Sequence, residues 1–165
     1  MKPVFRENGR VTAGNACPLN DGAAAVVIVS GRKAKALGLQ PLARIVATAV
    51  SSLEPEIMGL GPIEASRRAL ARARMTMDDI DIVEINEAFA AQVIPCAREL
   101  GIDPLSDKLN PHGGAIALGH PFGMTGARIL CTLLNGLATA GKTIGLETMC
   151  VGGGQGMAMI VERIA

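Results

Sequence analysis

The stretch TIGLETMCVGGGQGMAMIVERI, residues 143–164, decides the fold. Two apolar segments, Thr143–Cys150 and Met157–Ile164, flank a glycine-rich turn, and this pattern predicts a β-hairpin. Helix-forming residues precede the hairpin from Gly123 to about Ala140. The last third of the sequence is therefore predicted to be a helix followed by two antiparallel strands.

Strand and helix patterns alternate through the residues before this hairpin. Apolar runs predict strands at Ala23–Val29, Arg44–Val50 and Asp81–Ile85, and helix-forming stretches predict helices at Gly31–Leu39, Pro62–Arg74 and Glu87–Leu100. Pro95 is expected to kink the last of these helices or to shift its bounds. Such alternation favours a layered α/β domain, with a mixed sheet flanked by helices and functional residues at strand ends.

Composition excludes several classes of protein. The 165 residues are enough for one domain with a sizeable core. The absence of Trp and Tyr, which could stack on bases, and a formal net charge of +1 argue against nucleic-acid binding and electrostatic attachment to a membrane. No apolar stretch approaches the ~20 residues that span a bilayer, and the first residues lack a secretory apolar region. Wide, irregular cysteine spacing predicts a reducing, cytoplasmic compartment, the cysteines being Cys17, Cys96, Cys131 and Cys150.

His120 is the first candidate for acid/base chemistry. It lies between Gly119 and Pro121 in NPHGGAIALGHP, residues 110–121, where glycines let a ligand approach the main chain and the proline sets the chain direction. Free N–H groups of the following helix create a positive potential that favours a neutral imidazole, which can accept a proton from a thiol. An isolated histidine is more often hydrogen-bonded within a loop, but these neighbours favour the catalytic interpretation.

Cys150 is the second candidate. It ends an apolar strand and enters Val151–Gly154, so backbone N–H donors beside its sulfur could form an oxyanion hole. The alternative is a small buried hydrophobic side chain, which is how Cys96 and Cys131 are interpreted. A phosphate-binding loop is disfavoured, because Gly152–Gly156 lacks a Lys-Ser/Thr ending and leads into a strand.

Asn86 follows the predicted strand Asp81–Ile85 and opens a helix, so it either caps that helix or orients a water in a cleft. A zinc site is not expected, because His112 and His120 lack metal-ligand spacing to a carboxylate or to paired cysteines. The arginines of the Pro62–Arg74 helix form a basic face that is typical of solvated surface, and no role is assigned to them.

Four ordered motifs together resemble the thiolase family, the coenzyme A-dependent acyltransferases that include acetyl-CoA C-acyltransferase. They are TAGNACPLNDGAAA (12–25), NEAFA (86–90), GGAIALGHPFGMTGAR (113–128) and CVGGGQG (150–156). Ordered motifs of this length are specific, unlike a single glycine pattern. The resemblance implies a thiolase-like layered α/β fold, with residues 1–40 as the tail of a thiolase N-terminal domain and residues 41–165 as its C-terminal domain.

The resemblance also implies a reaction and its substrate. The family catalyses the reversible Claisen condensation of acyl-CoA, or thiolytic cleavage of 3-oxoacyl-CoA, as in fatty-acid β-oxidation. Acyl-CoA is then the substrate, with no bound cofactor and no metal. In this family the acyl group is carried on a cysteine of the N-terminal domain, and that nucleophile has no counterpart among these residues.

The matching motifs imply a role for individual residues. His120 resembles the histidine that activates the nucleophilic cysteine and helps to bind the thioester oxygen. Cys150 resembles the second cysteine, which exchanges a proton with the substrate α-carbon or with the departing thiol. Asn86 resembles the asparagine that holds an oxyanion-hole water. Gly152 matches a backbone donor of the other oxyanion hole, and Phe89 resembles a wall of the acyl pocket.

Cys17 departs from the family pattern at a substrate-binding position. Many thiolases have a serine here that touches the pantetheine arm, and a thiol is a poorer hydrogen-bond partner than a hydroxyl. Coenzyme A is therefore expected to be positioned differently, or through the backbone.

Three hypotheses of function follow. The leading one is the C-terminal portion of a thiolase, which carries the acid/base half of the site, is inactive alone, and exposes an interface that binds the N-terminal half or a second copy. The second is one subunit of a split thiolase, whose nucleophile comes from a separate polypeptide. The third is a non-catalytic module that binds acyl-CoA or a protein, and it predicts binding without turnover, unchanged by Cys150→Ala.

Overall fold

The computed structural model describes all 165 residues. Its elements, in chain order, are α1 (Gly31–Ala36), β1 (Ala43–Ser52), a 3₁₀ helix (Pro55–Leu60), α2 (Gly61–Ala73), a short 3₁₀ turn (Met77–Asp79), β2 (Ile82–Ile85), α3 (Ala90–Glu99), α4 (Ala115–Leu118), α5 (Thr125–Thr139), β3 (Ile144–Val151) and β4 (Gln155–Arg163). No helix combines the length and the apolar character needed to cross a membrane.

The four strands form one mixed sheet in the order β1-β4-β3-β2. The hairpin strands β3 and β4 are antiparallel, β1 is antiparallel to β4, and β2 runs parallel to β3. The predicted layered α/β fold with a mixed sheet and a C-terminal hairpin is confirmed. Because β2 and β3 are parallel, their carboxyl ends lie at the same edge of the sheet.

The hairpin turn is held against the segment that follows β1. Gly154 has a φ of +86°, and a side chain there would collide with the backbone carbonyl of Leu53. Its own carbonyl accepts a hydrogen bond of 2.9 Å from the Leu53 N–H. Glycine is required at this position for both reasons, conformation and space.

Helices cover both faces of the sheet. On the first face, which we call the apolar face, α2 and α3 pack on a buried cluster that includes Val83, Ile85, Leu146 and Ile160. The opposite face, the α5 face, packs a smaller cluster against α5, formed by Ile82, Leu130, Leu133, Leu137 and Val161. All four residues of β2 are buried, as expected for a strand between two layers.

The prediction of a buried strand at Ala23–Val29 is wrong. This segment has no strand partner and is largely exposed, with Val27 at 88% and Ile28 at 67% of full exposure. An apolar run forms a buried strand only when neighbouring strands and layers enclose it, and none of the described elements pairs with this one.

The α3 helix begins at Ala90 instead of the predicted Glu87, and Pro95 lies inside it. The preceding residues are held in extended backbone by an earlier segment of the chain. The Cys17 N–H donates to the Ala88 carbonyl at 3.0 Å, and the Ala90 N–H donates to the Asn15 carbonyl at 2.9 Å. These long-range bonds use backbone groups that a longer helix would need for itself.

Candidate active site

His120 lies in the short loop between α4 and α5, near the carboxyl ends of β2 and β3. Gly119 precedes it with a φ of +103°, and a side chain there would collide with the amide of Asn20. That amide oxygen accepts a 2.9 Å hydrogen bond from the His120 N–H. Residues near the start of the chain therefore help to fix the histidine backbone.

The imidazole ring of His120 is held on both nitrogens. Its Nδ1 lies 2.6 Å from the hydroxyl of Thr125, and that hydroxyl donates to the Pro121 carbonyl at 3.0 Å. Since the single hydroxyl proton is used on the carbonyl, the Thr125 oxygen accepts from Nδ1–H. In a neutral ring, Nε2 is then the unprotonated nitrogen, which can accept a proton.

Asn86 holds the other ring nitrogen. Its amide Nδ2 lies 3.3 Å from Nε2 of His120, and its N–H continues the β2–β3 ladder with a 3.0 Å bond to the Thr148 carbonyl. The capping alternative is wrong, because the cap residue of α3 is Phe89 and the Asn86 side chain points to His120. The Asn86 Oδ1 is buried and has no hydrogen-bond partner, so it is free to accept from a bound water or substrate group.

Burial lowers the pKa of His120, and the positive charge of Arg128 lowers it further. The residue is 9% exposed, and a pKa lowered below the ordinary 6.5 makes the neutral form predominate at pH 7. The sequence argument predicted a neutral ring from the helix N-terminus. In the structure, burial is the larger cause and Arg128 is a cause that the sequence argument missed.

Cys150 lies at the end of β3, where it pairs with Gly156 of β4. It is 7% exposed, and burial raises its thiol pKa above the ordinary value of 9.0, with the nearby Cys17 adding to the increase. The sulfur is therefore a protonated thiol at neutral pH. This protonation state is that of a proton donor and not of a ready nucleophile.

The remaining predicted residues surround this edge of the sheet. Phe89 packs edge-on against Phe5, with ring centroids 5.9 Å apart, and the Ala16–Phe89 bridge places Cys17 beside it. Gly152 lies exposed in the hairpin turn, and its carbonyl accepts from the Gln155 side chain at 3.2 Å. The structure thus joins His120 to Asn86 and places Cys17 near Cys150, while Gly152 stays open to solvent.

An open cleft of about 360 Å³ lies beside His120. Its walls include the Phe122 ring, whose centroid is 4.8 Å from that of the histidine, and the segment Leu19–Asp21. This volume is within the range of small-molecule sites, which begins at about 300 Å³.

A second hydrogen-bond network, missed by the sequence argument, connects the Asn86 loop to the His120 segment. The carboxylate of Glu87 accepts from Asn110 Nδ2 at 3.0 Å and from the Ile116 N–H at 3.1 Å. Asn110 also bonds to the backbone of Ile85 through both ends of its amide, at 2.9 and 3.0 Å. The available signal was their position in the sequence, since Glu87 belongs to NEAFA and Asn110 begins the stretch NPHGGAIALGHP.

Two family models match the chain. One, described as "Thiolase, C-terminal domain", matches residues 39–163, and the other, "Thiolase, N-terminal domain", matches residues 1–32.

Curated relatives match nearly all of the chain. It is 55% identical over 163 residues to an acetyl-CoA acetyltransferase of Chromobacterium violaceum and 54% identical over 165 residues to a 3-ketoacyl-CoA thiolase of Vibrio cholerae. Each match covers 99% of this chain but 41% and 43% of the respective relative. The chain therefore spans about two fifths of the length of these relatives.

Solved structures share the fold. The acetyl-CoA acetyltransferase of Bacillus anthracis is 48% identical with a TM-score of 0.95, and human mitochondrial 3-ketoacyl-CoA thiolase, solved in complex with CoA, is 45% identical with a TM-score of 0.91. In both cases 99% of this chain and 41% of the other chain are covered.

Proposed function

This chain belongs to the thiolase family, a family of acyltransferases, and we propose that it supplies the acid/base half of an acetyl-CoA C-acyltransferase site. The reaction is the thiolytic cleavage of 3-oxoacyl-CoA or the reverse condensation of two acyl-CoA molecules. The observation that carries the proposal is the hydrogen-bonded series Asn86–His120–Thr125, which leaves a neutral histidine with Nε2 as the proton acceptor.

His120 acts as the base for a nucleophilic thiol. Its Nε2 takes the thiol proton, and the resulting imidazolium keeps Nδ1–H bonded to Thr125. Because burial disfavours the imidazolium, the proton is held weakly and is readily returned. His120 would also help to bind the thioester oxygen once it carries that proton.

Cys150 acts as the second acid/base group. Its raised thiol pKa supports the role of an acid that protonates the substrate α-carbon during cleavage, and of a strong base when deprotonated during condensation. Asn86 holds an oxyanion-hole water through its unpartnered Oδ1, and the N–H of Gly152, an exposed residue, serves the other oxyanion hole. Phe89 forms a wall for the acyl group, and Cys17 lies where the pantetheine arm binds.

The nucleophilic cysteine comes from residues outside these 165, on the same polypeptide or on a separate one. We assign residues 1–40 to the tail of a thiolase N-terminal domain and 41–165 to the C-terminal domain. The exposed apolar run Val26–Val29 supports an interface with an N-terminal half or with a second copy of the chain. Acyl-CoA is the substrate, with no resident cofactor, and the free thiols at all four cysteines support a cytoplasmic location.

The test is complementation. The 165-residue chain is assayed for acetoacetyl-CoA cleavage alone and after mixing with the separately purified N-terminal half of the Chromobacterium violaceum relative. We expect no turnover by the chain alone and turnover in the mixture. His120→Ala should lower the turnover of the mixture by about 10³-fold, because it removes the general base.

His112→Ala provides the matched control, since this second histidine is exposed. Turnover by the chain alone, abolished by His120→Ala, would contradict the inactivity of the isolated chain. Binding of acyl-CoA without turnover in the mixture, unchanged by Cys150→Ala, would instead support the non-catalytic module.

A further inference from the structure

Two carboxyl side chains are buried side by side behind the candidate site. Glu84 of β2 and Glu147 of β3 are partners in the parallel ladder and are 1% and 8% exposed. Both lie on the α5 face, since they alternate with Val83 and Leu146 of the apolar face. Glu84 Oε1 and Glu147 Oε2 are buried without a hydrogen-bond partner.

Arg128 of α5 brings a positive charge to this face of the sheet. All three nitrogens of its guanidinium are buried, and none has a hydrogen-bond partner. An arginine stays charged under all ordinary conditions, so it cannot avoid the penalty of burial by losing its proton. A buried charge without a direct partner is costly and calls for a functional explanation.

These ionisable groups lie on the side of the sheet and of α5 that holds the His120 ring. Asn86, which bonds to Nε2, is two residues after Glu84 and therefore on the same side of the strand. Thr125, which bonds to Nδ1, is three residues before Arg128 and therefore on the same side of the helix. The two hydrogen-bond partners of the ring are therefore close neighbours, on their own strand and helix, of Glu84 and Arg128.

We propose that Arg128 is a positioning residue for the base. Its buried guanidinium charge, which has no hydrogen-bond partner between α5 and the carboxyl pair, keeps the His120 imidazole neutral, with Nε2 ready to accept a proton. The assignment rests on the proposed role of His120. Arg128 has no hydrogen bond to the imidazole, and it acts on the protonation of His120 through its charge.

Burial raises the pKa of Glu84 to about 7 and that of Glu147 to about 8. The charge of Arg128 lowers the Glu84 pKa, but neither carboxyl group hydrogen-bonds to the guanidinium. In the pH range where His120 titrates, the two side chains are therefore largely neutral. An imidazolium would then face the guanidinium without an intervening negative charge, and like charges disfavour each other.

Other ionisable groups face the ring or the pair from neighbouring elements. Glu87, on the loop after β2, contributes a negative charge near Glu84, but its carboxylate is bonded to Asn110 and Ile116. Asp21 lines the open cleft in front of His120, where water screens its charge. The thiol of Cys150 is neutral at this pH.

The test measures the pKa and tautomer of His120 by ¹⁵N-histidine NMR on the 165-residue chain. The chain has only two histidines, His112 and His120, so both signals can be followed. Arg128→Met keeps much of the side-chain volume and removes the charge, and we expect the His120 pKa to rise by about half a unit or more. Arg128→Lys should restore most of the original value.

Arg98→Met is the matched control, because Arg98 is exposed on α3, across the sheet from α5, and the change in net charge is the same. It should leave the His120 pKa unchanged. An unchanged pKa in Arg128→Met, or an equal rise in Arg128→Lys, would overturn the proposal. If Arg128→Met does not fold, Arg128→Gln replaces it with the same expectation.

This readout does not depend on turnover. Failed complementation with an elevated His120 pKa in Arg128→Met would reject the proposed function and keep the electrostatic role. Successful complementation with an unchanged His120 pKa in Arg128→Met would support the proposed function and reject the electrostatic role of Arg128.

Discussion

The two faces of the sheet bury different kinds of side chain. The apolar face holds one continuous cluster under α2 and α3, in which Ile85, Leu146 and Ile160 are each at most 1% exposed. The α5 face has a smaller apolar cluster and also buries the ladder partners Glu84 and Glu147, together with the guanidinium of Arg128 from α5. The same sheet therefore uses one face for stability and the other to hold ionisable groups near the candidate site.

This difference has a physical basis. Apolar side chains gain free energy on burial, whereas carboxyl and guanidinium groups lose hydration that no partner replaces. Perturbed ionisable groups of this kind concentrate at functional sites. Mutations on the apolar face should thus change stability with little effect on His120, and mutations on the α5 face should change the protonation of the site.

The largest expected effect is on the apolar face. Leu146→Ala should lower the free energy of unfolding by about 3 kcal/mol, because it leaves a cavity in a fully buried cluster. Urea unfolding measures this loss, and Leu105→Ala, at a leucine that is 93% exposed, should cost less than about 0.5 kcal/mol. The His120 pKa should not move in either variant. Equal costs for the two variants would show that this face is not the stabilising one.

An intermediate effect is expected from the pH dependence of stability. Burial, with a contribution from Glu84, raises the pKa of Glu147 from 4.5 to about 8. Between these values the folded state holds a proton on Glu147 that the unfolded chain has lost, so the contribution of this group to stability is fully present below about pH 4.5 and falls as the pH rises towards 8.

Glu147→Gln should remove the part of this fall that Glu147 causes, while Glu84, whose pKa is raised to about 7, keeps its own part. Relative to the variant, the unmodified chain should lose on the order of 2 kcal/mol of unfolding free energy between pH 5 and pH 8.5. Urea unfolding at a series of pH values measures the difference, with the exposed Glu99→Gln as control. Parallel curves for the unmodified chain and Glu147→Gln would mean that the carboxyl pair is not held neutral.

The smallest expected effect concerns the ring tautomer. Thr125→Val removes the acceptor of Nδ1–H without changing the side-chain shape, and should weaken the preference for the Nδ1–H tautomer by about 1 kcal/mol. The ¹⁵N chemical shifts of His120 report the two tautomers. Thr132→Val is the control. The Thr132 hydroxyl donates to the Arg128 carbonyl about two turns further along α5 and has no hydrogen bond to the ring. An unchanged tautomer ratio in Thr125→Val would show that Asn86 alone orients the histidine.

Much of the fold could be predicted from local patterns. The hairpin around the glycine turn, the α5 helix and the mixed sheet were all recognisable, because alternation, helix-forming runs and turn glycines act over a few residues. Local patterns could not show that the apolar segment Ala23–Val29 forms no strand. Its apolar character is local, but burial depends on partners that these residues do not provide.

The residues of the candidate site could be predicted where they belong to a motif, but their contacts with distant residues could not. Motif membership identified His120, Asn86 and Cys150, and the structure joins the first two by a hydrogen bond across 34 positions of sequence. Asn20, which holds the His120 backbone from 100 positions away, gave no local pattern that connected it to the ring.

The sequence by itself determined the types of most elements and the residues that are candidates for acid/base chemistry, because both follow from residue type and short-range spacing. Only the tertiary structure decided which imidazole nitrogen is free, that the Cys150 thiol is buried and protonated, and that Arg128 acts on His120 from behind. These properties depend on burial and on the distances between charges, which arise only when separate strands and helices pack together.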